Sequence, residues 1–188
     1  MITRRLTDFS LVEALYRTRL KEDFPPDELK PMDSMRRSWE KDAYDCYGLF
    51  DGDDILGYAF FVRRDRDLLL DYFAIAQERR DRGLGSLFLR QLADHIRGAN
   101  CAVCEVQDPD KAGSVEERIG RERRLRFYLR SGFRKTELTS VLFGVNYRIL
   151  EMPGTQAHTL QQIREAYTEL YRSTLPEKLF LSEFQVKQ

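Results

Sequence analysis

Residues 68–96 read LLLDYFAIAQERRDRGLGSLFLRQLADHI. The first part, residues 68–76, is nearly continuous in large apolar side chains, which predicts a buried strand. A polar loop over residues 77–82 follows, and Gly83 opens a helix. The apolar residues of this helix recur at spacings of three and four, so they form one face. They are Leu84, Leu87, Phe88, Leu92 and Ile96.

The junction between this strand and this helix has the character of an anion site. The first amides of a helix have no partner within the helix, and the helix dipole favours negative charge there. Gly83 and Gly85 let a phosphate approach the backbone without a Cβ in the way. A Gly-x-Gly after a strand also occurs where a helix merely packs on a strand. The positive charge of Arg79, Arg80 and Arg82 favours the anion site, and the dinucleotide motif fails because its third glycine is missing.

Two segments carry a resemblance to a known family: RDRGLG at residues 80–85 and FYLRSGF at residues 127–133. The first resembles the acetyl-coenzyme A loop of the GNAT superfamily of N-acetyltransferases, and the second resembles that family's second signature. The resemblance covers roughly residues 1–150. It implies an α/β (α+β) fold, with a mixed central sheet, antiparallel N-terminal strands, splayed central strands and flanking helices. It also implies a transferase that uses acetyl-coenzyme A as co-substrate and no metal.

The resemblance implies backbone contacts to acetyl-coenzyme A. In the GNAT fold pantetheine pairs with the fourth strand, here around Phe73, Ala74 and Ile75, and the amide near Ile75 would bind the thioester oxygen. The diphosphate lies on the following loop and helix start. The residues of that part are Arg80, Asp81, Arg82, Gly83, Leu84, Gly85 and Ser86.

Three side chains are implied to act in the reaction or at the acceptor site. Tyr128 matches the tyrosine that protonates the departing thiolate in many members; alternatively, it only packs beside Phe127. Glu105 is a charged residue within an apolar strand, which is costly unless it is paired or functional. It matches glutamates that act as general base, directly or through water; alternatively, it forms an ion pair with a loop arginine. Glu28 lies in the segment that borders the acceptor site and could hold a cationic amine, or it is simply exposed.

The acceptor remains open at this stage. Some protein-acetylating members carry an asparagine seven residues before the tyrosine, and that position is Arg121 here. A charged insertion, residues 110–123, reshapes the acceptor side. A polyamine, an aminoglycoside, an amino acid and a protein lysine all fit. Two other functions are an acyl-coenzyme A-binding sensor without turnover and a structural subunit whose C-terminal tail binds a partner.

Composition limits the partners and the compartment. Lys plus Arg and Asp plus Glu number 31 each, so the net charge is zero, which argues against a broad nucleic-acid-binding face. No apolar run approaches the length of a membrane span, and the N-terminus lacks an apolar signal region. Three cysteines give no disulfide framework. Cys101 and Cys104 would point to opposite faces of a strand, so they could not share a metal. A cytoplasmic protein is expected.

The remaining pattern predicts a domain over residues 1–152 and a C-terminal helix and tail over residues 153–188. The tail would pack on the same domain or on a partner, for which a second copy of the chain is one candidate. In the helix predicted over residues 10–20, Leu11, Ala14 and Leu15 should face inward, with Leu20 as a further candidate. The predicted strands are 1–6, 44–50, 55–63, 102–106, 133–137 and 145–152, with 179–186 as an extra strand or a cover; further helices are 115–131 and 156–173.

Overall fold

The structure is a computed structural model that describes residues 1–152, 154 and 156–188. The strands are β1 (Ile2–Arg5), β2 (Tyr44–Asp51), β3 (Asp54–Arg64), β4 (Asp67–Ile75), β5 (Ala102–Gln107), β6 (Arg134–Leu142), β7 (Val145–Glu151) and β8 (Phe184–Lys187). The helices are α1 (Phe9–Leu15), α2 (Lys21–Asp23), α3 (Met32–Glu40), α4 (Leu84–Gln91), α5 (Ala93–Arg97), α6 (Val115–Arg130), α7 (Leu160–Thr174) and α8 (Glu177–Glu183). The predicted fold class is confirmed, because these strands form one mixed sheet in the order β1-β2-β3-β4-β5-β7-β6-β8.

The chain divides into two compact units. One consists of residues 1–63 and 70–94, and the other of residues 64–69 and 95–188, so that β4 contributes to both. The predicted domain boundary at Pro153 lies outside the described residues. The division into residues 1–152 and 153–188 therefore stays a prediction.

In the first unit, β1, β2 and β3 are antiparallel neighbours. The turn between β2 and β3 contains Gly52, which has a φ of +60°. Its strands are buried on both faces: Cys46, Leu49, Tyr58 and Phe60 are all fully covered. This explains why the two segments read as nearly continuous apolar runs rather than as alternating ones.

The first helix differs from its prediction in which face is buried. Asp8 caps it by accepting from the amide of Ser10. However, Leu11 is 42% exposed and Ala14 is also exposed, whereas Val12 is fully buried together with the predicted Leu15. The α-helical hydrogen bonding gives way to a π-helical turn at Tyr16–Leu20. A π-turn adds a residue to the repeat, so the buried Leu15 and Leu20 share a face at a spacing of five that a regular α-helix would not allow.

In the second unit, β5, β7, β6 and β8 are successive antiparallel neighbours. The prediction ended β6 at residue 137, but the strand continues to Leu142. Buried and exposed residues alternate along this strand, as expected when one face is covered. Two of the buried residues, Thr136 and Ser140, are polar and flank the apolar Leu138. These hydroxyls have long-range partners, since Thr136 Oγ1 donates to the carbonyl of Ile149 at 2.8 Å. Because these buried residues are polar, the hydropathy pattern did not predict the second part of the strand.

The C-terminal segment also differs in detail. Helix α7 begins at Leu160, four residues later than predicted, because Thr159 forms a capping box with Gln162. The apolar segment predicted as an extra strand or cover, residues 179–186, is helical as far as Glu183 and only then becomes β8. The single helix predicted after Gly83 is divided into α4 and α5.

Candidate functional site

The predicted anion loop in the first unit has a specific backbone geometry. After β4 and a 3₁₀ turn at Gln77–Arg79, Asp81 adopts a φ of +60° and Gly83 a φ of +75°. Gly83 is the N-cap of α4, and its carbonyl accepts from the amide of Leu87 at 3.0 Å. The amides in the first turn of α4 therefore have no acceptor within the helix, because the carbonyls four residues before them lie outside it. A Cβ placed on Gly83 would meet no atom within 4 Å, so space remains open beside the backbone.

The side chain of Arg80 contacts Ile75 and Asp23, which both belong to the first unit. Its Nε donates to the carbonyl of Ile75 at 2.9 Å, and a terminal guanidinium nitrogen lies 2.5 Å from Oδ1 of Asp23. The Asp23 side chain is only 3% exposed, and its other oxygen accepts from the hydroxyl of Tyr58 at 2.8 Å. Burial, and then the charge of Asp23, raise the pKa of Tyr58, so this hydroxyl keeps its proton. Arg80 thus anchors the start of the loop, while Arg79 and Arg82 are exposed.

Sequence reasoning missed Asp23 and Tyr58. Asp23 is separated from Arg80 by 57 residues and Tyr58 from Asp23 by 35. The only local signal is an acidic residue in a helical turn immediately before the Phe24-Pro25-Pro26 break. The residue types needed for an anion loop can be recognised from one segment, but the residues that hold it cannot.

The strand residues predicted to pair with pantetheine lie at the end of β4. Ala74 and Ile75 are each 8% exposed, and the ring of Phe73 lies 5.6 Å from that of Phe88. Gly57 approaches closely here: a Cβ on it would come within 2.8 Å of the carbonyl oxygen of Ala74. Glycine at position 57 therefore permits this close passage of the backbone.

The segment that carries Glu28 is fixed on β4. Glu28 ends a 3₁₀ turn, Pro26–Glu28, and is half-buried. The hydroxyl of Tyr72 donates to the carbonyl of Glu28 at 2.9 Å and accepts from the amide of Lys30 at 2.8 Å. The Lys30 ammonium forms an ion pair with the buried Asp71 at 2.5 Å. Burial, and then the charge of Asp71, raise the pKa of Tyr72, so the hydroxyl that bridges the segment stays protonated.

In the second unit, Glu105 of β5 has partners that the sequence did not suggest. Two of them are tyrosines of α7: the hydroxyl of Tyr167 donates to Oε2 and that of Tyr171 donates to Oε1, each at 2.5 Å. Tyr167 also forms a hydrogen bond of 2.8 Å with Ser140. Both tyrosines lie on the buried face of α7. The unused signal was that a buried phenol needs a hydrogen-bond partner.

Tyr128 lies in the last turns of α6 and is 7% exposed. Its ring contacts Phe127 and Phe133, with centroid separations of 5.1 and 5.0 Å. Gly132 ends the turn with a φ of +92°, and the carbonyl of Tyr128 accepts from the amide of Phe133 at 3.1 Å. The packing alternative and the acid role are both compatible with this position, so the role of Tyr128 stays a prediction.

The charged insertion before Tyr128 is held by ion pairs within the second unit. Arg148 of β7 contacts Asp108 at 2.7 Å and Asp110 at 2.5 Å. Arg121 donates to the carbonyl of Asp108 at 3.1 Å, and its side chain is 17% exposed. Arg121 therefore stabilises the turn at Pro109–Lys111.

No group of three or more His, Cys, Asp or Glu residues among the described residues could hold a metal ion. None of their helices combines the length and the apolar character that crossing a bilayer requires.

Comparison with known proteins gives a consistent result. Residues 12–133 match the model of the acetyltransferase (GNAT) family. A search of curated proteins finds no match. Among solved structures, a GNAT-family protein from Bacteroides thetaiotaomicron superposes with a TM-score of 0.72 at 20% identity, over 93% of this chain and 98% of that one.

Two further solved structures show the same fold. The ribosomal-protein-alanine N-acetyltransferase from Brucella melitensis has a TM-score of 0.55 at 15% identity, over 80% of this chain and 98% of that one. An acetyltransferase from Bacillus subtilis, solved in complex with CoA, has a TM-score of 0.52 at 16% identity, over 80% of this chain and 97% of that one. At these identities the likeness concerns the fold alone.

Proposed function

Since the chain belongs to the GNAT family of acetyltransferases, we propose that it is an N-acetyltransferase. It transfers an acetyl group from acetyl-coenzyme A to a primary amine by direct attack, with both substrates bound. The observation that carries this proposal is the loop before α4, where two left-handed residues, Asp81 and Gly83, precede a run of helix-start amides. This backbone geometry suits a diphosphate.

The residues of the loop fit the co-substrate in three respects. The amides of residues 81–86 supply hydrogen-bond donors for the diphosphate. The open space beside Gly83 admits the phosphates. The exposed Arg79 and Arg82 add positive charge, while Arg80 keeps the loop in place through Asp23. The backbone of residues 73–75 would pair with pantetheine, as the family resemblance implies.

The chemistry needs a base, an acid and a donor to the thioester oxygen. Glu105 accepts the proton that the attacking amine loses. The amide near Ile75 stabilises the charge that develops on the thioester oxygen. Tyr128 donates a proton to the departing thiolate, which is basic enough to take it from a phenol. Glu28, in the segment fixed by Tyr72, attracts a cationic amine.

An acyl-coenzyme A-binding sensor without turnover remains the alternative function. The presence of Glu105 and Tyr128 favours the enzyme, since a sensor needs neither a base nor an acid. The other expectations stay predictions: a small-molecule or protein amine as acceptor, no nucleic acid, no membrane, a homodimer and a cytoplasmic location.

Mass spectrometry of acetylated products tests the function. Purified protein is incubated with acetyl-coenzyme A and a panel containing a polyamine, an aminoglycoside, free amino acids and a lysine peptide. We expect one class to gain an acetyl group, and Glu105→Gln to slow this reaction. The matched control is Glu137→Gln, which neutralises an exposed carboxylate of β6 in the same unit. Binding of acetyl-coenzyme A without any product from the panel would favour the sensor.

A further inference from the structure

The two oxygens of the Glu105 carboxylate are each bound by a different tyrosine of α7. Tyr171 serves Oε1 and Tyr167 serves Oε2. The tyrosines are four residues apart, so they lie one turn apart on the same face of the helix. A carboxylate held at both oxygens cannot rotate without breaking a hydrogen bond. The contacts thus fix its orientation as well as its position.

The two phenols are themselves held rigidly. Tyr167 is fully buried and Tyr171 is 1% exposed. The ring of Phe184, in β8, lies 4.8 Å from the Tyr171 ring and 5.5 Å from the Tyr167 ring. Ser140 adds a hydrogen bond to the hydroxyl of Tyr167. Because these rings already pack against both a helix and a strand, they lose little rotamer freedom when they form hydrogen bonds to Glu105. This arrangement is expected of a preorganised site.

The phenol of Tyr167 also retains its proton. Burial, and then the negative charge of Glu105, hold the pKa of Tyr167 well above its ordinary value. Tyr147 of β7 also raises the pKa of Tyr167, and burial, followed by the charge of Glu105, raises the pKa of Cys104 on the same strand as Glu105. At neutral pH the hydroxyl of Tyr167 therefore donates to Glu105, and a hydrogen bond to the charged form of a carboxyl favours that form.

We propose that Tyr167 and Tyr171 are positioning residues, which hold Glu105 ionised and correctly oriented to receive the proton of the amine. This inference rests on the proposed function, since it assumes that Glu105 is the base. It gives the C-terminal helix α7 a role in the reaction, although α7 lies beyond residues 12–133, which match the family model.

The test compares Tyr167→Phe and Tyr171→Phe with the parent protein. Phenylalanine keeps the ring packing and removes only the hydroxyl. Because hydrogen bonds to charged groups are among the stronger ones, we expect each change to lower kcat roughly tenfold and to move the acid limb of the pH profile up by about one unit. The KM for acetyl-coenzyme A should stay unchanged. The control is Tyr47→Phe, whose ring packs on Phe61 in the first unit.

A measurement that needs no turnover accompanies the kinetics. The Glu105 carboxyl is followed by ¹³C NMR during a pH titration of the whole protein, with its signal assigned by its loss in Glu105→Gln. We expect a higher titration midpoint in both phenylalanine variants and no change in Tyr47→Phe. If the fully buried Tyr167 does not tolerate substitution, Tyr171→Phe and Ser140→Ala carry the test. Ser140→Ala removes the neighbour that orients Tyr167 and leaves both phenols in place.

The outcomes separate the inference from the proposed function. A parent protein that acetylates no amine overturns the function. Midpoints and pH profiles that do not move in either tyrosine variant overturn the positioning role, even in an active enzyme. A raised KM for acetyl-coenzyme A with an unchanged kcat also overturns it, because the tyrosines would then act on cofactor binding.

Discussion

The contact between Arg80 and Asp23 allows a prediction of measurable size. Arg80→Met keeps the aliphatic length of the side chain but removes both of its hydrogen bonds, to Asp23 and to the carbonyl of Ile75. Asp23 would then remain as a carboxylate with a side chain 3% exposed, and with Tyr58 as its remaining hydrogen-bond donor in that contact. We expect the loop before α4 to lose its fixed start and the first unit to lose stability.

The magnitude follows from the exposure of the two partners. Removing one partner of a fully buried ion pair costs about 3–5 kcal/mol, whereas exposed pairs contribute about 0–1 kcal/mol. This pair is intermediate, because Asp23 is buried but the Arg80 side chain is 40% exposed. We therefore expect a loss of about 2 kcal/mol. For a chain of this size 1 kcal/mol corresponds to roughly 2–4 °C, so Tm should fall by roughly 4–8 °C.

Thermal unfolding of four proteins measures this effect as a double-mutant cycle. They are the parent, Arg80→Met, Asp23→Asn and the double variant, with Arg79→Met as the control for an exposed neighbouring arginine. The coupling energy between the two positions should be about 1–2 kcal/mol. The control should lie within about 0.5 kcal/mol of the parent. Additive losses, with no coupling, would refute the argument that Arg80 acts through Asp23.

Three further changes have expected outcomes. Tyr128→Phe should lower turnover by roughly 10²–10⁴ in steady-state assays and leave acetyl-coenzyme A affinity nearly intact; an unchanged kcat returns Tyr128 to packing alone. Gly83→Glu should abolish the rise in Tm that acetyl-coenzyme A produces, whereas Gly83→Ala, which only strains the positive φ by about 1–2 kcal/mol, should keep it. Burial alone would raise the pKa of Glu151, but His158 and Arg134 hold it below its ordinary value of 4.5. The stabilisation that the ionised Glu151 contributes is therefore complete above about pH 4.5 and is lost as the pH falls through the lower folded-state pKa. The difference in Tm between the parent protein and Glu151→Gln should therefore narrow in acid but not at neutral pH.

Periodicity predicted those elements in which nearly all of the buried residues are apolar. The β2–β3 hairpin is an example, because its turn residues and apolar runs specify the same structure. The end of β6 could not be found in this way. Ser140 is 1% exposed on its buried face and is tolerated there because Tyr167, 27 residues away, provides a hydrogen bond. A pattern read along one segment does not contain such a partner.

The candidate site likewise combines features that one segment specifies with features that depend on residues distant in the sequence. Residues 80–86 could be recognised because their backbone geometry requires particular residue types, and the structure shows the positive φ of Gly83 that a glycine accommodates. The asymmetry of the loop was not foreseen. Arg80 forms an ion pair with the buried carboxylate of Asp23 although its own side chain is 40% exposed, so the three arginines are not equivalent.

Energetics indicate which measurement decides the role of Glu105. A buried or half-buried charged network is weak evidence for stability, because apolar side chains of similar volume commonly give an equal or greater free energy of unfolding. Stability therefore gives no reason for a carboxylate to occupy position 105 between the buried Cys104 and Val106. Nor does it give a reason for Tyr167 and Tyr171 to be tyrosines instead of phenylalanines. A group with acid–base chemistry supplies such a reason, so turnover and its pH dependence, rather than melting temperature, are the observations that test this cluster.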